Sequence, residues 1–251
     1  MIDLTGKHIF IAGGSRGIGR ANALMAARAG ADLTVNFVRD QAAADQVVAG
    51  IRALGRKAFA IQADLAKDGE ADRAMKESVA ANGPLHGLAV SAGIFEGSPI
   101  DQMSAEFWDR TMSINLRATF LAVRAAISHL RNSRGGSIVI YTSTAGQRGS
   151  SVYSAYATSK GAQLLFMRSM AKELAPDRIR VNCVAPGWTE TDMSRAAMDA
   201  EGREGIIASI PLGRIGKPED PAAASCFLLS DLAEFITGST ITVDGGFDMR
   251  G

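Results

Sequence analysis

The chain alternates between two hydrophobic rhythms. Short apolar runs rich in β-branched residues (HIFIAGG, DLTVNF, AFAIQAD, GLAVSAG, SIVIYTS, IRVNCVAPG and TITVDGG) punctuate it from end to end. Between them lie longer stretches, 17–29, 40–54, 68–82, 104–131, 153–175 and 218–230, in which apolar residues return at i, i+3 and i+4. The first rhythm is that of a strand covered on both faces, the second that of a helix with one apolar stripe. Their alternation predicts an α/β fold, a doubly wound parallel seven-stranded sheet with helices on both faces. One segment breaks the pattern. Residues 188–213, WTETDMSRAAMDAEGREGIIASIPLG, are polar and punctuated by glycine. Connections of that length commonly form lids or binding loops. With no repeat or linker, the pattern predicts a single domain over 1–251 with a substrate lid at about 188–213.

Composition narrows the function classes. Apolar residues make up 47% of the chain and charged residues 21%, and the formal net charge is +1. There is no basic stripe for nucleic acid or an anionic membrane. Every apolar run is strand-sized, so no transmembrane span is expected, and MIDLTGKH lacks a signal pattern. A cytoplasmic protein is the resulting expectation. Cys183 and Cys226 stand alone in apolar stretches and read as buried thiols. His8, His86 and His129 are equally isolated, so no metal site is expected.

Two constellations carry chemistry. Gly13-Gly14-Ser15-Arg16-Gly17-Ile18-Gly19 follows a predicted strand and opens a helix. Glycines at such a turn let backbone N–H groups approach a pyrophosphate, which the helix N-terminus also attracts. Further along, Tyr156 and Lys160 stand four residues apart at the start of a long helix, on one face. An ammonium beside a phenol favours the phenolate, so the spacing predicts a lowered tyrosine pKa and a group able to exchange a proton with a carbonyl oxygen. Ser143 ends the strand immediately upstream.

Gly13-x-x-x-Gly17-x-Gly19 together with Ser143 and Tyr156-x-x-x-Lys160 resembles the short-chain dehydrogenase/reductase family, and the match runs from residue 5 to Asp244-Gly245-Gly246. The resemblance implies a Rossmann fold and an oxidoreductase moving a hydride between a nicotinamide and a ketone or secondary alcohol. It implies that Tyr156 is the general acid or base, that Ser143 bonds the substrate oxygen, and that Lys160 holds the nicotinamide ribose. It also implies that Asn115 shapes a proton relay. Cofactor contacts carried over on matching positions are Gly13, Ser15, Arg16, Gly17, Ile18 and Gly19, with Asp64-Leu65 at the adenine. Ser91-Ala92-Gly93 follow the fourth strand, and Pro186, Gly187, Thr189 and Thr191 lie at the carboxamide. By register with the family, the position that selects the cofactor is Phe37, which carries no charge. Arg39 and Arg16 lie near it and match phosphate geometry, which favours NADP(H) while leaving NAD(H) open. Asp40 is expected to cap the following helix.

The chain departs from the family pattern at Ala12, where threonine is usual, and at Ser91, where asparagine is usual. The tail from Ile210 to Asp220 resembles the 3-oxoacyl-carrier-protein reductase and glucose dehydrogenase branches, which implies a homotetramer. Asp177 stands where that reductase branch often has a basic residue, leaving Arg131 and Arg134 as the basic candidates for a carrier protein. Phe95, Tyr153, Trp188 and Met193, with Glu96, Gln147 and Arg148, fall in the variable segments expected to touch a small-molecule substrate. The alternatives are an NAD-linked polyol, sugar or steroid dehydrogenase, and a non-catalytic dinucleotide sensor.

Overall fold

A computed structural model describes residues 1–249. Seven parallel strands form one sheet: β1 (His8–Ala12), β2 (Asp32–Phe37), β3 (Ala58–Gln62), β4 (Gly87–Val90), β5 (Gly136–Tyr141), β6 (Ile179–Pro186) and β7 (Thr240–Val243). Their order is β3-β2-β1-β4-β5-β6-β7, so the chain reverses its direction of growth between β1 and β4. In such sheets a crevice opens beyond the carboxyl ends of the strands at that reversal.

Successive strand residues serve opposite faces, as the pleat requires. Phe10, Leu88, Val90, Ile138 and Ile140 pack under α3 (Glu70–Asn82), α5 (Ala118–Asn132) and α7 (Ser154–Leu174). Ile9, Ile11, Ala89, Val139 and Tyr141 pack against α1 (Gly17–Arg28), α2 (Gln41–Ala53) and α10 (Glu219–Leu229). The near-continuous apolar runs are thus two interleaved cores.

Three elements differ from the sequence expectation. The helix expected over 104–131 is broken into α4 (Ala105–Met112), a π-helical turn Ser113–Arg117, and α5. The extra residue in that turn carries Asn115. A short helix that periodicity did not signal, α6 (Thr144–Arg148), follows β5 directly. Residues 188–213 are not an irregular loop: they form α8 (Asp192–Glu201) and α9 (Arg203–Ser209). Met198, Ile206 and Ile210 of that segment close a small core with Trp188, Ile215 and Phe247.

Under the sheet lies a buried polar network. The His8 Nδ1 lies 2.9 Å from the Gly83 carbonyl oxygen, and its Nε2 lies 2.9 Å from Thr34 Oγ1. Thr34 Oγ1 already accepts from Ser78 Oγ and Asn82 Nδ2. Its one proton therefore goes to His8 Nε2, which fixes a neutral imidazole with the proton on Nδ1. Burial accordingly holds the His8 pKa below its ordinary value.

Candidate active site

At the crevice between β1 and β4 lies a cleft of about 650 Å³, within the range of small-molecule sites. One half of it is lined by Gly13, Ser15, Arg16, Gly17, Ile18, Arg39 and Asp64, and its floor by Ser91, Ala92 and Gly93. Tyr156, Lys160, Pro186, Gly187, Thr189 and Thr191 line the other half. Of the positions expected at the cofactor, Gly19 and Leu65 are not in its wall. The Leu65 side chain is buried in the core beneath the sheet, whereas Asp64 is on the cleft wall. Gly19 packs the helix against the turn: a Cβ there would lie 2.1 Å from the Gly13 carbonyl oxygen.

The glycine turn is clipped from the neighbouring strand. Asn36, fully buried at the end of β2, accepts from the Gly13 N–H at 3.3 Å and donates to the Ala63 carbonyl at 3.0 Å. Asparagine is a poor strand former, and its place in an apolar run was the unread signal. At the end of β2, Phe37 is buried and Asp40 caps α2 by accepting from Ala43 N at 2.9 Å. Arg16 and Arg39 are both exposed on the cleft wall. The cradle fits a dinucleotide: N–H groups and a helix N-terminus face the cleft, with two guanidinium groups at its adenosine end.

The four residues expected to do chemistry converge. Asn115, carried by the π turn, accepts from Ile94 N at 2.8 Å and donates to the Ile94 carbonyl at 3.1 Å and to Ser159 Oγ at 3.0 Å. A Cβ on Gly93 would meet Asn115 Oδ1 at a tight 3.1 Å and Lys160 Nζ at an ordinary 3.7 Å, so the absent side chain chiefly makes room for Asn115. Ser143 caps α6, accepting from Ala145 N at 3.1 Å, and its side chain interacts with the Tyr156 phenol. α6 packs closely on α7, because a Cβ on Gly146 would lie 2.6 Å from the Lys160 carbonyl carbon. Gln163 was not anticipated. It is fully buried one turn beyond Lys160, and donates to the Asn115 carbonyl at 2.8 Å and to Thr119 Oγ1 at 2.7 Å, stabilising the π turn.

One expectation from spacing is corrected. The Tyr156 pKa lies above its ordinary value, not below it: desolvation raises it and Ser143 only partly opposes this. The Lys160 ammonium is aimed elsewhere, donating to the Tyr141 carbonyl at 2.8 Å, and lies 5.8 Å from the Tyr156 ring centroid. Burial pushes Lys160 down to about 8. Beside Tyr156 stands an aromatic wall. Phe95 stacks on Tyr153 at 4.4 Å and meets Tyr156 edge-on at 4.8 Å and Trp188 at 6.1 Å. Thr191 caps α8, paired with Ser194, and its side chain closes over Gly17.

A family model described as enoyl-(acyl carrier protein) reductase matches residues 12–248. A 3-oxoacyl-[acyl-carrier-protein] reductase from Synechocystis sp. is 37% identical over 250 residues, covering 99% of this chain and 100% of its own. The chain belongs to the short-chain dehydrogenase/reductase family. Among solved structures, a putative short-chain alcohol dehydrogenase from Sinorhizobium meliloti superposes with a TM-score of 0.94 at 32% identity, covering 98% of each chain. A 7α-hydroxysteroid dehydrogenase complexed with NADH and 7-oxo glycochenodeoxycholic acid gives a TM-score of 0.94 at 31% identity, covering 98% of this chain and 95% of that one. As a short-chain dehydrogenase/reductase, the protein is an NAD(P)-dependent oxidoreductase acting on CH–OH or C=O groups. Among the described residues no helix is long and apolar enough to cross a membrane, and no group of three or more His, Cys, Asp or Glu could hold a metal.

Proposed function

We propose that this short-chain dehydrogenase/reductase is an NADP(H)-dependent carbonyl reductase and secondary-alcohol dehydrogenase with Tyr156 as general acid or base. The observation that carries this reading is that Tyr156 and Lys160 meet on the wall of a glycine-lined cleft, with Ser143 against the Tyr156 phenol and Asn115 packed against Gly93. A nicotinamide bound there supplies or accepts the hydride. In the reductive direction Tyr156 gives its phenolic proton to the substrate oxygen while Ser143 holds that oxygen. The phenol is protonated at neutral pH, the form a donor needs, and burial makes it a weaker acid than a free tyrosine. Lys160, with donors left beyond its bond to Tyr141, holds the ribose hydroxyls, and Asn115 keeps Ile94 and Gly93 in place beside it. A sensor without turnover would have no need of these proton-transfer groups.

NADP(H) is favoured because β2 ends on Phe37, Asp40 is engaged as a helix cap, and Arg16 and Arg39 on the cleft wall could receive a 2′-phosphate. A second reading, an NAD-linked dehydrogenase, draws support from the NADH-complexed steroid dehydrogenase of the same fold and from Asp40 on the cleft wall. The aromatic wall suits a ketone with an apolar body. A carrier-protein substrate draws less support, since Arg131, one of its two basic candidates, pairs with Asp177 at 2.7 Å. The α8–α9 pair serves as a lid over that substrate. A homotetramer is the expected assembly, for which the exposed Phe120 and Leu165 on α5 and α7 offer an apolar face, and light scattering tests it. The cytoplasm is the compartment this reading assumes.

The test is a panel of ketones and alcohols with NADPH and NADH, run beside Tyr156→Phe. Removing a general acid is expected to lower kcat by roughly 10²–10⁴-fold with cofactor affinity retained. Near-full activity in that variant overturns the mechanism, and tighter binding of NADH than NADPH overturns the cofactor assignment.

A further inference from the structure

We infer that the substrate of this site carries a carboxylate, bound by Arg148 at the end of α6; the inference rests on the carbonyl-reductase reading above. α6 begins at its cap Ser143 and ends on Arg148. Five residues of helix place Arg148 about 7.5 Å along the axis from Ser143. The element is held rigidly at both sides. Gly146 sits against the α7 backbone at Lys160, and Gln147 Nε2 donates to Thr242 Oγ1 on β7 at 3.2 Å. Arg148 therefore stands at a set distance from the oxygen-binding serine.

Its guanidinium lies over the Phe247 ring at 4.3 Å from the centroid, and both side chains line the cleft with Tyr156 and Trp188. Stacking on an aromatic face orders the guanidinium while leaving its N–H edges free to meet a planar anion. The other charges around this half of the cleft are compensated. Glu96 and Arg110 form an ion pair through both carboxylate oxygens, Asp192 pairs with Arg195, and Glu190 with Arg203. Among the described residues Arg148 forms no ion pair, and apart from Lys160, whose ammonium donates to the Tyr141 carbonyl and is assigned above to the ribose, it is the cation this half of the cleft offers to a substrate. One cation matches a monoanion, and the fork of Arg matches the two oxygens of a carboxylate. Phe95, Trp188 and Met193 line the same cleft, so the site fits a keto acid whose ketone and carboxylate are separated by an apolar body.

The experiment is calorimetric titration of the protein, with and without saturating NADP⁺, using γ-benzoylbutyrate, its methyl ester and benzoylpropyl phosphate. The acid is expected to bind about tenfold more tightly than the ester, the scale of one charged hydrogen-bonded pair at a half-open site. Arg148→Gln brings the acid down to the ester's affinity and leaves the ester unchanged, while Arg148→Lys keeps part of the difference. Equal affinities in the wild type, an acid preference that survives Arg148→Gln, or tighter binding of the phosphate ester would each overturn the inference. Because binding is read without turnover, absence of ketone reduction refutes only the reductase reading. A reductase that handles acid and ester alike refutes only the role of Arg148.

Discussion

Alanine at Gly13, Gly17 and Gly19 of the phosphate-binding turn is expected to fail in a different way at each. Gly17 has φ +55°, and a Cβ there would meet Thr191 Cγ2 at 3.5 Å, an ordinary contact. Gly17→Ala therefore costs only the left-handed conformation, about 1–2 kcal/mol. For a chain of this length that is a fall in Tm of about 2–8 °C. The added methyl, however, enters the cleft between the turn and Thr191, where a pyrophosphate would lie, so cofactor affinity is expected to fall sharply. Gly19 is helical and pays no conformational cost, but its Cβ would overlap the Gly13 carbonyl oxygen at 2.1 Å. Neither atom can rotate away. Forcing α1 off the turn is an overpacking cost of about 3 kcal/mol, hence a fall of roughly 6 °C or more. Gly13 combines both penalties, with φ +73° and its Cβ 2.8 Å from the Ala92 backbone. Thermal melts and NADPH fluorescence titrations of the three variants separate the two effects. Gly17→Ala should melt highest of the three and still bind poorly. If it melts as low as Gly19→Ala, or if Gly19→Ala keeps wild-type stability, the assignment of conformational and packing roles is wrong.

Three further outcomes are expected. Asn115→Ala removes three side-chain hydrogen bonds and leaves the Ile94 N–H without its acceptor; a loss of about 2–3 kcal/mol should appear as a Tm lower by roughly 4–12 °C, and an unchanged melt would refute it. Arg39→Glu should weaken NADPH by at least about tenfold with little effect on NADH, by loss of a charge-assisted contact; fluorescence titration decides, and equal loss for both cofactors counts against a 2′-phosphate site. His8 is buried with its pKa below its ordinary value, so the unfolded chain takes up that proton first as the pH falls. Its contribution is complete above about pH 6.5 and is lost on acidification at about 1.4 kcal/mol per pH unit. Melts of wild type and His8→Gln between pH 7.5 and 5.5, a window of about one unit on either side of that value, should therefore differ in slope, the variant being flatter, and parallel curves would disprove the neutral-imidazole network.

Much of this molecule was legible because period alone separates strands from helices. The seven apolar runs are the seven strands, and α7 differs from its expected span by one residue at each end. Asn115 was legible as a site residue but its setting was not, since a π turn adds one residue without disturbing the apolar stripe on either side. α6 is five residues long, too short to show a period, and depends on its Ser143 cap and on contact with α7. Residues 188–213 are polar because they form a surface helix pair over a three-residue core, a burial too small to mark the sequence. Spacing brought Tyr156 and Lys160 onto one face correctly. It could not reveal that a backbone carbonyl on β5 captures the ammonium and that desolvation dominates the phenol.

The departure at Ala12 shows how the site keeps its order without a residue its family commonly uses. A hydroxyl at that position would bond within the turn, and the fully buried Ala12 methyl cannot. Asn36, across the sheet on β2, supplies a substitute: its carboxamide oxygen takes the Gly13 N–H, and its nitrogen is anchored on the Ala63 carbonyl beyond β3. The Gly14 N–H is held by the same residue's main-chain carbonyl at 2.9 Å. The turn is therefore tied to two strands through one buried side chain, where an internal bond would tie it only to itself. A clamp of this kind couples the cofactor end of the cleft to the packing of β2 against β3. A disturbance at Asn36 should thus loosen the glycine turn from outside it, while the proton-transfer residues on α7 and the π turn, held by the separate contacts of Gln163 and Gly146, keep their geometry.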